Sequence, residues 1–377
     1  MAPKNRTEYR AAIADMFVKS LEEKGLEWKR GWDLCALRRP YNAATGREYH
    51  GINRFYLSQL ASERGYTDPR WATMLQIMDR KGEYHPGSKW HLQAGSKAVY
   101  VEYWYPYDDW MKRIMDWKEY RALPPEERSS GRYSLRTRYT PVFHASMIDG
   151  MPPLPPLPKL PEREPQPLSK IVRRLSESMG VTLIYDGFDR AFYRPSADAV
   201  HLPLPEQFRD GYEFNATVLH ELTHATGHES RLGRDLSGRH FASEEYAYEE
   251  LVAEIGSCFM SCSAGAEPTP AHLKNHKAYV QAWIARIREK PETLARAITD
   301  AQRAALYMDR HAGLISEREY AERMHNAALV PGSAQKGSDM PGANRAENED
   351  PFARAAAELC RASAERQELC EELEAGG

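Results

Sequence analysis

Apolar positions recur at helical spacing over residues 6–24, where Tyr9, Ile13, Phe17 and Leu21 fall on one stripe of a 3.6-residue period. This pattern predicts an amphipathic opening helix. A second helix is expected at 52–64, entered from the turn-rich "RRPYNAATGREYHG", whose Asn42, Gly46 and Gly51 favour a hairpin or irregular loop. The period then changes. "SKAVYVEYWY" (96–105) alternates and is β-branched or aromatic, and "RYTPVFHAS" (138–146) reads as its partner strand. The charged stretch between them, "DDWMKRIMDWKEYRALPPEERSSGR", reads as an inserted helix and loop.

Proline breaks the pattern at "MPPLPPLPKLPEREPQP" (151–167), too dense to pair into a sheet or continue a helix, and so expected to be a stiff spacer. After it, 168–179 is predicted helical, and "VTLIYDG" and "AFYRPSADAVHLPL" are predicted short strands with turns at Gly187 and Pro195–Ser196. Helices are expected at about 210–227, 243–264, 270–288 and 292–310. Residues 331–351 are small, polar and acidic, a composition expected to be disordered, and 352–374 reads as one charged helix. The expected fold is α+β in two domains: a head (1–150), a linker (151–167), a second domain (168–330) and an acidic tail (331–377).

Charge adds direction to this plan. The chain of 377 residues has a formal net charge of −3, but residues 1–100 hold 17 Lys+Arg against 11 Asp+Glu, while 341–377 hold 4 against 9. A basic head points to a polyanionic partner. Aromatic and basic residues interleave there, from Trp28, Lys29, Arg30 and Trp32 to Tyr103 and Trp104. Basic groups neutralise phosphates and rings stack on unpaired bases, which together predict a binder of single-stranded nucleic acid. The candidate contacts are Arg38, Arg39, Asn42, Arg47, Tyr49, Asn53, Arg54, Trp71, Lys89 and Lys97. The five cysteines form no CxxC pair, so neither a disulfide framework nor a four-cysteine zinc site is expected. With no apolar run of membrane-spanning length and no apolar core in the first twenty residues, a cytoplasmic protein without a membrane partner is expected.

Chemistry concentrates in "TVLHELTHATGH" (217–228), which contains the H-E-x-x-H pattern of zinc metallopeptidases. His220 and His224, four apart on a helix, aim their nitrogens at one point, and Glu221 is the candidate general base. Phe214, Val218, Leu222 and Ala225 give the helix a buryable face, and Gly227 marks its end. Zinc of the His₂Glu class needs a carboxylate from a second helix. "EEYAYEELVAEIGSCF" supplies Glu250 as third ligand and Glu254 as the acid behind a ligand histidine; Glu249 is the alternative third ligand, with His228 and His240 as weaker ones. One Zn²⁺ is therefore expected, with metal-assisted hydrolysis in which Glu221 accepts a proton from water. Tyr246, Tyr248, His240 and Arg231 are the candidates for stabilising the oxyanion.

Longer stretches carry a resemblance. "LEWKRGWDLCALRRPYNAATGREYHGINRFYL", "DPRWATMLQI", "GSKA" and "PVFHASMIDGMP" resemble the ArdC-type antirestriction N-terminal domain, also found in plasmid TraC-type primases. "AFYRPSADAVHLPLPEQFRDGYEFNATVLHELTHATGHESRLGRDL" and "YAYEELVAEIGSCF" resemble the zincin-like metallopeptidase domain that accompanies it. The resemblance implies a protein of conjugative plasmids, phages or integrated elements that binds single-stranded, and to some degree double-stranded, DNA and shields incoming DNA from host restriction. It also implies His220, His224 and Glu250 as metal ligands and Glu221 as catalytic glutamate. The insert at about 106–133 and the segment after 331 depart from the family pattern. Two other readings stand beside it: a peptidase that cleaves a host restriction or defence protein or a DNA-bound protein, the head serving only to deliver it to DNA, and a DNA-coating protein with a structural zinc.

Overall fold

The computed structural model describes residues 3, 5–25, 39–86, 89–154, 170–187, 190–208, 211–234, 236, 244–264 and 277–329. Arg38, His240, the Trp28–Trp32 segment, most of the proline-rich stretch and the tail after 329 lie outside the described residues. The chain divides into two compact units, Met1–Met16 with Gly31–Leu160 and Phe17–Arg30 with Pro161–Gly377.

Helix α1 (Arg6–Lys24) buries the stripe predicted for it, Tyr9, Ile13, Phe17 and Leu21. In the first unit the chain then enters β1 (Tyr41–Asn42), α2 (Gly51–Arg64), β2 (Arg70–Thr73), α3 (Met74–Met78) and β3 (His91–Leu92). Two long strands follow, β4 (Val99–Asp108) and β6 (Tyr133–His144), with β5 (Arg113–Ile114), α4 (Trp117–Ala122) and α5 (Pro125–Arg128) between them. The predicted strand pair is therefore present, longer at the turn end than its pattern indicated, because the aromatic alternation continues through Tyr105 and Tyr107. The sheet order is β1-β2-β6-β4-β5; β1 and β2 run parallel, the other neighbours antiparallel. Among the described residues, strand β7 (Ile148–Asp149) pairs only with β3.

One face of this sheet buries Trp71, Val99, Val101 and Val142 against Leu57 and Leu60 of α2. The other buries Ala72 and Phe143 against Ile77, Trp90 and Ile148. Strand β2 has no alternation to reveal it: Arg70, Trp71 and Ala72 are all buried. Along β4, Asn53 completes backbone pairing. Its amide nitrogen donates to the Glu102 carbonyl (2.7 Å), and its amide oxygen accepts from the Glu102 N–H (2.8 Å). Unpaired strand groups are satisfied in this way by a side chain.

In the second unit, α6 (Lys170–Met179) leads to a three-stranded sheet of β8 (Thr182–Tyr185), β9 (Phe192–Arg194) and β10 (Ala199–Leu202). Strand β10 is central, parallel to β8 and antiparallel to β9. Helices α7 (Gly211–Ala225), α8 (Glu244–Ala264), α9 (Lys277–Glu289), α10 (Glu292–Ala312) and α11 (Glu317–Leu329) complete the described part. Helix α8 packs against both α7 and α10, and its residues 249–260 are buried all round, as expected of a central helix. Gly256 makes the approach to α7 close: a Cβ there would lie 2.7 Å from Thr223 Cγ2.

Candidate metal centre

The α7 sequence "FNATVLHELTHA" buries Phe214, Val218, Leu219, Leu222 and Ala225, which leaves His220 and His224 on the flank that meets α8. The two helices cross antiparallel, since His220 faces Glu254 while His224 faces Glu249. Glu250 stands between. Its carboxylate oxygens lie 3.5 Å from His220 Nε2 and 3.5 Å from His224 Nε2, and the two Nε2 atoms are 3.2 Å apart. Tetrahedral zinc with bonds of about 2.0–2.1 Å separates its ligand atoms by about 3.3–3.4 Å. The spacing of these donors fits such an ion, and His220, His224 and Glu250 form the metal-capable cluster among the described residues. Two neutral imidazoles and a carboxylate suit a divalent cation.

Behind the imidazoles lie two more carboxylates. Glu249 Oε1 is 3.3 Å from His224 Nδ1, and Glu254 Oε1 is 3.9 Å from His220 Nδ1. Glu249 therefore sits on the far nitrogen of His224, away from the three-donor cluster. It is fixed there by Arg234, which donates to both of its oxygens at 2.7 and 3.0 Å. Arg234 also donates to the Thr223 carbonyl (2.7 Å) and Thr226 Oγ1 (2.8 Å), capping the C-terminus of α7 where a cation complements the helix dipole. Gly227 leaves room for it, as a Cβ there would stand 3.0 Å from Arg234 Nη2.

The electrostatics follow from this crowding. Burial alone would raise the Glu249 carboxyl, but the Arg234 charge and the His224 hydrogen bond bring it down to about 2. Burial alone would lower His224; the Glu250 charge and hydrogen bonds to Glu249 and Glu250 instead take it up to about 10. Glu250 is held well below the carboxylate range, against burial, by His224 and His220. Glu221 is buried on the same helix turn at 7% exposure.

Residues 7–142 match the family described as the N-terminal domain of anti-restriction factor ArdC, and residues 171–300 match the zincin-like metallopeptidase family. The structure of antirestriction ArdC from plasmid R388 superposes with a TM-score of 0.60 and 26% identity, covering 82% of this chain and 99% of that one. The same protein solved with Mn(II) gives 0.60 and 26%, covering 81% of this chain and 99% of that one. The chain is ArdC-like, an ArdC-type N-terminal domain followed by a zincin-like metallopeptidase domain. A DNA primase TraC of Escherichia coli is 33% identical over 302 residues, which is 77% of this chain and 26% of the primase. Protein y4eC of Sinorhizobium fredii is 29% identical over 311 residues, 81% of this chain and 93% of y4eC.

Within this ArdC-type head, the sequence-predicted DNA contacts scatter. Arg47, Lys89 and Lys97 are exposed. Arg39 is paired with Glu48 at 3.2 Å, and Tyr49 is half-buried against the α2 core. Asn42 is occupied by its own turn, accepting from the Ala44 and Thr45 N–H groups and pairing with Gln76. Three expectations are corrected. Arg54 and Trp71 are each 1% exposed, and Asn53 is spent on Glu102, so none of them presents its side chain to a polyanion. Composition could not separate these from surface residues, because a basic or aromatic type says nothing about which face it occupies.

The proposed oxyanion donors also divide. Arg231 binds Asp198 at 2.7 and 2.8 Å and donates to the Ala225 and Met179 carbonyls, which ties the β9–β10 turn to the end of α7. Tyr248 donates to Asp300 at 2.7 Å. Both are engaged in structural bonds. Tyr246 is half-buried and His240 lies outside the described residues. His228 pairs locally with Ser230 at 2.8 Å, apart from the cluster. Arg234 escaped the sequence reading; its only signal is a basic residue just past the Gly233 turn that follows the motif helix.

Proposed function

We propose that this protein shields incoming DNA from host restriction by binding single-stranded DNA, with weaker affinity for duplex, and that its second unit is a zinc-dependent peptidase. The observation that carries the enzymatic half is the convergence of His220, His224 and Glu250 within 4.8 Å, beside a buried Glu221. His220, His224 and Glu250 would hold the ion, an assignment supported by donor spacings of 3.2–3.5 Å. Bound there, a zinc ion would supply an activated water and a Lewis acid for a scissile carbonyl. Glu221 accepts the proton and returns it to the leaving amine. Glu249, held by Arg234, fixes the ring and tautomer of His224, and Glu254 stands behind His220.

Two measurements test this reading. Purified protein is expected to hold one zinc per chain, lost on His220→Ala. Glu221→Gln should keep the metal and oligonucleotide binding but abolish protection of transferred DNA. Full protection by Glu221→Gln makes proteolysis dispensable and leaves DNA coating as the function.

A further inference from the structure

The outer half of the antiparallel β4–β6 pair carries a feature that the metal centre does not use. In the observed register Tyr103 lies opposite Arg138, Tyr105 opposite Arg136 and Tyr107 opposite Ser134. Directly paired residues share a face, and alternate residues of a strand share it too, so these side chains form one two-strand row. Val99, Val101 and Val142 begin the same face and are buried under α2, but Tyr103 is 44% exposed. The opposite face is closed at this level: Trp117 of α4 donates to the Trp104 carbonyl at 3.3 Å, and Tyr120 packs edge-on against Tyr133. Arginines lie over the row, with the Arg136 guanidinium 3.6 Å from the Tyr107 ring centre and that of Arg138 4.5 Å from Tyr103. Arg136 also binds Asp109 at 2.5 Å, whereas no acidic side chain pairs with Arg138 among the described residues. In the turn between β4 and β5 Trp110 is 75% exposed, a large ring left in water.

We propose that Tyr103, Tyr105 and Tyr107, with Arg136 and Arg138, form the stacking platform on which an extended single strand of DNA lies. This rests on the reading that the protein binds DNA. Same-face neighbours on a strand are about 6.6–6.8 Å apart, twice the 3.4 Å rise per base of a stacked strand. Bases meeting successive tyrosines are therefore separated from one another, a geometry open to a single strand and closed to a duplex. The guanidinium planes hold the rings in place, and Arg138, with no acidic partner among the described residues, offers paired N–H donors to a phosphate between bases.

The test uses the full chain and a fluorescent oligo-dT, titrated by anisotropy over a series of salt concentrations. Tyr103→Ala and Tyr107→Ala are each expected to weaken binding about tenfold or more, with Tyr103→Phe retaining it. Arg138→Gln should lower the slope of log affinity against log salt by about 0.7, the share of one phosphate contact on a single strand. Tyr103 and Arg138 are exposed and Tyr107 is half-buried, and unaltered circular dichroism identifies a folded variant. If the unmodified chain does not bind, the DNA-binding reading itself fails. Should it bind while the three variants bind equally well, or should Lys89→Ala and Lys97→Ala carry the loss instead, the platform is refuted and the DNA reading stands.

Discussion

Arg234 is the residue whose removal tests the construction of the metal centre most directly. It is inside the protein, and its guanidinium both caps α7 and pins Glu249 behind His224. A fully buried carboxyl held at about 2, against an ordinary value of 4.5, contributes about 3 kcal/mol at neutral pH. Replacing Arg234 by Met strands the Glu249 charge without its main partner, for which about 3–5 kcal/mol is expected. Native-state hydrogen exchange of α7 and α8 amides, with chelator present, reads the loss in this unit alone. Because the folded-state value is depressed, the contribution is complete above about pH 4.5 and disappears as pH falls through about 2. The gap between the variant and the unmodified chain should therefore close across that interval. Arg234→Met combined with Glu249→Gln leaves no unpaired charge and should recover at least about 1 kcal/mol relative to Arg234→Met alone. A cost below about 1 kcal/mol for Arg234→Met, or a double variant no better than the single, refutes the assignment.

Further outcomes follow from the same geometry. Gly256→Ala forces a methyl against the stiff Thr223 side chain, 2.7 Å away, and should cost about 1–3 kcal/mol in chemical denaturation and weaken zinc binding; adding Thr223→Ser, which removes the clashing methyl, should restore part of both. In the metal-free protein His224 is raised to about 10, so an ion must displace its proton. Calorimetric zinc titrations near pH 7.5 in buffers of different ionisation enthalpy should report close to one proton released per ion, and identical heats in all buffers contradict it. Trp71→Ala should cost about 3–5 kcal/mol in the thermal unfolding of the head, in keeping with a core ring. Asn53→Ala should destabilise the head by about 1–3 kcal/mol yet leave the salt slope of DNA binding unchanged, because it frees strand groups and removes no phosphate contact.

What could be read from the sequence was whatever a period fixes. Tyr9, Ile13, Phe17 and Leu21 repeat every four residues and are all buried on α1. The same arithmetic puts His220 with His224, and Glu250 with Glu254, on single helical faces, so the paired imidazoles and the need for a carboxylate from the next helix were legible before any tertiary contact was known. Glu249 was not. Whether it or Glu250 faces the imidazole Nε2 atoms depends on how α8 is rotated against α7, and that rotation is set by Gly256 and by Arg234 arriving from the turn after the motif helix.

The head shows the converse, because residue type was read there without a period. Arg54 and Trp71 have the chemistry of a nucleic-acid contact and lie in the interior, whereas Lys89 and Lys97, of the same class, lie in water. A short buried strand such as β2 has no alternation to separate its two faces, so nothing local marks Trp71 as inward. The alternation of β4 does make that separation. It places Tyr103 and Tyr105 together from sequence alone, and the longer β4 with its pairing to β6 adds Tyr107, Arg136 and Arg138 to the same face. A surface for bases and phosphates needs its rings and cations side by side, and only strand register, not composition, brings them there.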